Sequence, residues 1–143
     1  MKPKITIISS FSNPERVLQE VKRLQETYDV EVILPTRDWF ERMRDTMGKM
    51  NACSGQISDD KVLAMKGINM ETYFQAIRDS DIIHIFNIKL FKSCEGDNLY
   101  EEKEYYGINT LIEVGMAHCL GKKITCYKEP TEPEIKNLVW RVI

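Results

Sequence analysis

Short runs of β-branched residues alternate along this chain with segments whose apolar positions recur every three or four residues. Ile5-Thr6-Ile7-Ile8 is the first run and ends in the loop cluster Ser9-Ser10-Phe11-Ser12-Asn13-Pro14. Pro14 opens a helix over 14–26, with Val17, Leu18, Val21 and Leu24 at core spacing and Glu15, Arg16, Glu20, Lys22 and Arg23 outside. Val30 to Leu34 reads as a second strand stopped by Pro35, and Trp39, Phe40 and Met43 suggest a short helix after it. Residues 44–69 are polar, carry Gly48, Gly55 and Gly67, and read as a loop or lid with some helix. Met70 to Asp79 is again helical, through Tyr73, Phe74 and Ile77. Asp81 to Asn87 is nearly continuous in apolar residues, as a central parallel strand should be. The charged, Tyr-rich stretch from Lys89 to Tyr106 reads as a loop. A helix over Asn109–Leu120, stopped by Gly121, then leads to a fourth strand at Lys123–Tyr127. Pro133 to Ile143 reads as a closing helix, with a short fifth strand at Leu138–Ile143 as the alternative.

Strand and helix in alternation imply βαβ units with right-handed crossovers and a parallel sheet. The expected fold is α/β: one flavodoxin- or Rossmann-like three-layer sandwich over 1–143, with four or five parallel strands. Ligands of such sheets sit beyond the carboxyl ends of the strands, where strand order reverses. That rule nominates Ser9 and Ser10, Asn87, and the start of the 109–120 helix as groups that converge in space.

Composition narrows the function. The 143 residues are 43% hydrophobic and 29% charged, ordinary values for a globular domain. Twenty Lys and Arg nearly cancel 22 Asp and Glu, so no positive field invites nucleic acid. No apolar stretch approaches the roughly 18 residues that span a bilayer. Cys53, Cys94, Cys119 and Cys126 include no C-x-x-C pair, and His84 and His118 are the only histidines, which argues against structural zinc and redox motifs. The start lacks a signal-peptide h-region, so a cytoplasmic protein with free thiols is expected.

The 109–120 helix is almost wholly apolar, and Glu113 is its only acidic side chain. Burying a carboxylate without a partner costs several kcal/mol or raises its pKa, so the position calls for a reason. In the first helical turn, facing the ligand crevice, it could attack an anomeric carbon. The structural alternative is a capping box, in which Thr110 takes free N–H groups of the helix and Glu113 reaches back to the cap.

Thr110-x-x-Glu113-x-Gly115-x-Ala117-x-x-Leu120-Gly121-Lys122-Lys123-Ile124 resembles the signature of the nucleoside 2-deoxyribosyltransferase-like family. Asp81-Ile82-Ile83 is similar to that family's strand entering the site, and Ile5 to Phe11 with the following helix to its opening unit. The similarity lapses between residues 36 and 69. It implies that Glu113 is a nucleophile on an N-glycosidic bond, that no cofactor or metal is needed, and that sites are completed across subunits. Three positions depart from the pattern. Gly107 and Tyr73 stand where the transferases have aspartates, and Asn109 where the family has glycine.

The substrate-binding candidates are therefore Ser9, Ser10, Phe11, Asn87, Asn109 and Thr110, for a nucleoside or 5′-nucleotide whose phosphate meets Ser9, Ser10 and the helix N-terminus. Asp97, beside Gly96, is the candidate acid that would protonate the leaving base, in place of the missing aspartates. His84, inside an apolar strand, reads as a hydrogen-bonded core histidine. The Tyr-rich 99–106 and Met-rich 43–50 segments, with the family resemblance, point to a homo-oligomer. An enzyme cleaving or transferring a glycosidic bond is the first reading; a nucleotide-binding sensor or interaction module of the same fold is the second.

Overall fold

The structure is a computed structural model, and it describes residues 1–9, 14–35, 37–41, 70–92 and 100–143. Its centre is the strand pair β1 (Lys4–Ser9) and β3 (Ile82–Phe86), joined in parallel with Ile7 opposite His84. Ile5 to Ile8 are buried on both faces, which is why the run reads as continuously apolar rather than alternating. β2 (Glu31–Ile33) flanks β1, while β6 (Lys123–Cys126) and β7 (Arg141–Val142) extend the sheet from β3. The order β2-β1-β3-β6-β7 is parallel throughout. Counting these strands alone gives 2-1-3-4-5, the flavodoxin-like order, so the fold is the expected α/β type with five strands in its sheet.

Register decides which side chains share a face. Ile7, His84 and Thr125 are partners across β1, β3 and β6 and point one way; Thr6, Ile83 and Ile124 point the other. Helix α1 (Pro14–Thr27) covers the first face. Its inner stripe is Val17, Glu20, Val21 and Leu24, so Glu20, expected outside, is in fact buried. It turns inward because His84 waits beneath it. His84 Nε2 lies 2.9 Å from Glu20 Oε1 and Nδ1 lies 2.8 Å from Thr125 Oγ1, so the histidine is the hydrogen-bonded core residue expected. Arg23, one turn on, grips both oxygens of Glu20.

The opposite face is covered by α3 (70–79) and α4 (Ile108–Cys119). α3 buries Tyr73, Ala76 and Ile77, and Ser80 just beyond it donates to the Ala76 carbonyl and meets the Thr6 hydroxyl. The short helix α2 (37–41) buries Trp39 and Phe40. The loop-or-lid reading of 44–69 lies outside the described residues.

Two expectations are corrected. The stretch 89–106 is not a plain loop: β4 (Ile88–Lys92) and β5 (Tyr100–Glu104) pair antiparallel, with Ile88 opposite Glu104. The Glu and Lys of β5 are poor strand formers and hide the pattern. The closing helix α5 (Pro133–Lys136) is a single turn, after which the chain takes the alternative course as β7. There the Trp140 N–H donates to Ile124 and the Ile143 N–H to Cys126. Among the described residues no helix is long and apolar enough to cross a membrane.

Candidate functional site

Strand order reverses between β1 and β3, so the crevice expected of this fold lies past Ser9 and Asn87. Ser9 is half-buried at the end of β1, whereas Ser10, Phe11 and Asp97 lie outside the described residues.

Asn87 directly follows β3 and is fully buried. Its amide nitrogen donates to Tyr106 Oη and to the Lys128 carbonyl, each at 2.9 Å, and its oxygen accepts the Lys128 N–H at 2.9 Å. The Asn87 carbonyl also accepts the Tyr105 N–H. One side chain thus ties the exit of β3 to the segments after β5 and β6. Sequence reasoning nominated it as a sugar contact; the structure gives its amide protein partners that fix where α4 begins. Glu104 adds to the same brace, accepting both the N–H and the hydroxyl of Thr131. Glu102 pairs with Arg16 and Glu101 with Lys103, so the acids of β5 are all engaged.

α4 starts three residues earlier than a capping box at Thr110 requires. Its N-cap is Gly107, in extended conformation at φ −73°, with no side-chain cap, and the Leu111 N–H to Gly107 bond is the first of the helix. Thr110 is therefore the third helical residue and Glu113 the sixth. The capping box is absent, and no acid stands in the first turn. At the other end Gly121, at φ +71°, makes the stop that was expected. Its N–H bonds to His118 and that of Lys122 to Ala117, the pairing of a Schellman motif.

The inner face of α4 consists of Thr110, Glu113, Val114 and Ala117. The helix packs on β6, β3 and β1, so this face looks onto the sheet. Glu113 is 6% exposed and Thr110 5%, and neither side chain has a hydrogen-bond or ionic partner among the described residues. Burial alone raises the Glu113 carboxyl to about 8. Such a group is mostly protonated at neutral pH and can hold or accept a proton there. Asn109, half-buried in the first turn, stands beside the uncapped N–H groups of the helix. Those groups can receive an anion.

Sequence reasoning found Glu113 and Thr110 and misjudged what holds them. It missed Tyr106 as the partner of Asn87, for which an aromatic two residues past a strand gives no signal. Tyr73, at one aspartate position of the resembled family, is a core residue whose hydroxyl meets the Pro35 carbonyl at 3.4 Å. Among the described residues no group of three His, Cys, Asp or Glu is placed to hold a metal.

Two cavities lie at the amino ends of the strands, away from Ser9, Asn87 and Glu113. One is an apolar hollow of about 160 Å³ between Leu24, Tyr28 and Trp140; the other is an open depression of about 750 Å³ beside Lys4 and Asp81. Among the described residues that line them, neither contains an unpartnered buried polar group. No protein-family model and no curated protein matches this chain.

Proposed function

We propose that this protein acts on the N-glycosidic bond of a nucleoside or 5′-nucleotide, with Glu113 as its nucleophile. The observation that carries the reading is a buried carboxyl with no partner among the described residues, on the helix that borders the strand-order switch. A fold that gains nothing from such a group retains it at a cost of several kcal/mol when ionised, and a substrate that develops positive charge repays that cost. In this reading a Glu113 oxygen bonds to C1′ as the bond from C1′ to the base nitrogen breaks. The electron pair of that bond leaves with the base, which takes up a proton, and water or a second base then releases the sugar from Glu113. Thr110, one turn away and also without a partner among the described residues, is suited to a sugar hydroxyl. Ser9, Ser10 and the uncapped start of α4 are suited to a 5′-phosphate. Asn87 acts as a positioning residue.

A second reading is a nucleotide-binding module of the same fold. It is favoured by Gly107 and Tyr73, neither of which brings a second carboxylate to Glu113. The two are separated by incubating the protein with a panel of nucleosides and 5′-nucleotides, with and without an acceptor base, and measuring released base by chromatography. Release that is lost in Glu113→Gln supports the enzyme. Saturable binding in the same panel with no released base supports the module and overturns the catalytic role of Glu113.

A further inference from the structure

The amino end of the sheet carries a chemistry of its own. Register places Ile5, Ile82 and Lys123 in one row across β1, β3 and β6, and Thr125 with Arg141 in the next row, across β6 and β7. Side chains two residues apart on a strand share a face, so both rows point with Ile7 and His84 towards α1. The apolar hollow of about 160 Å³ lies over these rows, where the end of α1 meets β7. Its floor is Ile5, Leu24 and Thr125, all buried, and Val30 forms one wall.

Floor and mouth differ in character. The one polar side chain of the floor, Thr125, has its hydroxyl engaged 2.8 Å from His84 Nδ1, so the depth of the hollow is an apolar surface. At the mouth stand two aromatic rings, Tyr28 at 36% and Trp140 at 51% exposure, and the exposed Arg141. Among the described residues that line the hollow, Arg141 is the only charged one. Its guanidinium lies 4.6 Å from the centre of the Trp140 ring, and the Lys123 ammonium lies 4.5 Å from the same ring. Neither cation has a carboxylate partner among the described residues.

We propose that this hollow is a binding site for a small aromatic carboxylate, with the ring inside and the carboxylate on Arg141. Three features select that class of ligand. Size sets the apolar part, because an apolar cavity of about 150 Å³ holds one benzene ring. Shape favours a flat ring, which can rest between the aromatic walls of Tyr28 and Trp140. Charge sets the polar part, since a guanidinium offers paired donors to a carboxylate and Lys123 adds attraction for an anion while opposing a cation. The floor has no free hydrogen-bonding group, so a polar molecule such as a sugar gains nothing by entering. The site lies at the opposite end of the strands from Ser9, Asn87 and Glu113, and the inference does not depend on the reaction assigned to Glu113.

The test uses 4-fluorobenzoate as the probe, on the full chain at neutral pH. Its fluorine resonance should shift and broaden saturably, with a Kd on the order of 0.1–1 mM, and benzoate should displace it. Acetate, which has the charge without the ring, should not. Arg141→Gln, at an exposed position, should weaken 4-fluorobenzoate about tenfold yet leave uncharged 4-fluorobenzyl alcohol bound as in the wild type. Val30→Phe, which fills the hollow from its wall, should abolish binding of both probes. In the nitrogen-15 spectrum of the wild type the Trp140 indole N–H should move with the probe, and that of buried Trp39 should not. Lack of saturable binding up to about 10 mM overturns the proposal. So does 4-fluorobenzoate binding that Arg141→Gln leaves unchanged, or acetate that competes as well as benzoate and so marks an adventitious ion only. Should Val30→Phe fail to fold, the Arg141→Gln comparison and the Trp140 resonance decide.

Discussion

Thr110 and Glu113 stand one turn apart on the buried face of α4, both about 95% buried, and neither side chain has a partner among the described residues. Two orphaned polar groups at i and i+3 point the same way, so a single ligand can meet both. Native interiors leave few polar groups unpaired, so holding this pair without partners carries a cost.

That cost fixes the first prediction. Glu113 ionises at about 8 in the folded chain, well above the ordinary carboxylate range it returns to when unfolded. Between those values the folded state binds the extra proton. Stability is therefore greatest below the unfolded pKa and falls as pH rises towards 8, by a few kcal/mol at most. Glu113→Gln removes the dependence. The variant should melt with the wild type near pH 4 and above it at pH 8, and urea midpoints at the two values measure the gap. A gap of the opposite sign would mean that Glu113 has a partner in solution.

Catalysis should follow the same ionisation in the other direction. A nucleophilic Glu113 must be deprotonated, so kcat/KM should climb with pH and level off above about 8. Were Glu113 instead the acid that protonates the leaving base, the profile would fall through the same pH. The slope on the acid side of pH 8 separates the two roles in one experiment.

The buried His84–Glu20 pair gives a prediction on the other face of the sheet. Burial lowers the His84 pKa, and despite burial the hydrogen bonds from Arg23 and His84 lower that of Glu20. The pair is thus neutral imidazole against carboxylate, with Nε2–H donating to Glu20 and Nδ1 accepting from Thr125. For His84 the unfolded chain takes up its proton first as pH falls below about 6.5, so stability drops there. For Glu20, stability present above its unfolded pKa is lost as pH falls through the folded one. His84→Leu leaves Arg23 to hold Glu20 and should cost about 3 kcal/mol at pH 7, with the loss shrinking towards pH 5. Urea denaturation at both pH values, with unchanged m, checks it.

How much of this was legible in the sequence depended on whether local pattern and tertiary environment agreed. β1, β3 and α4 could be read because their apolar runs have one explanation each, burial in a parallel sheet or against it. His84 was legible for the same reason, since an apolar strand leaves a histidine no solvent. Glu20 was not, because a glutamate at a core-facing helical position reads as surface until the histidine opposite it is known. The start of α4 failed more instructively. Thr110-x-x-Glu113 has the spacing of a capping box, but Ile108 and Asn109 carry the helix back to Gly107, whose neighbour Tyr106 is anchored by Asn87 from 19 residues away. β5 escaped notice because Glu101, Glu102 and Lys103 face water and leave no apolar alternation.

Gly107 offers the sharpest test of the family resemblance. It is the N-cap of α4, its φ of −73° suits any residue, and a Cβ there would meet Tyr105 Cε1 at 3.7 Å, an ordinary contact. A side chain can therefore be installed without strain. Gly107→Asp places a carboxylate where it accepts the free N–H groups of the first turn and favours the helix dipole, and should add a few tenths of a kcal/mol of stability. Gly107→Asn caps equally well and should give a similar gain in melting temperature. The two differ in chemistry, because only aspartate carries a titratable proton and occupies the position that the resembled transferases fill with one. If Glu113 is a glycosyl nucleophile that lacks its acid, Gly107→Asp should gain base exchange between nucleosides over the wild type, and Gly107→Asn should not. Equal activity in the two variants would show that the change is capping alone. An aspartate variant that is stabilised yet still releases and exchanges no base would favour the nucleotide-binding module.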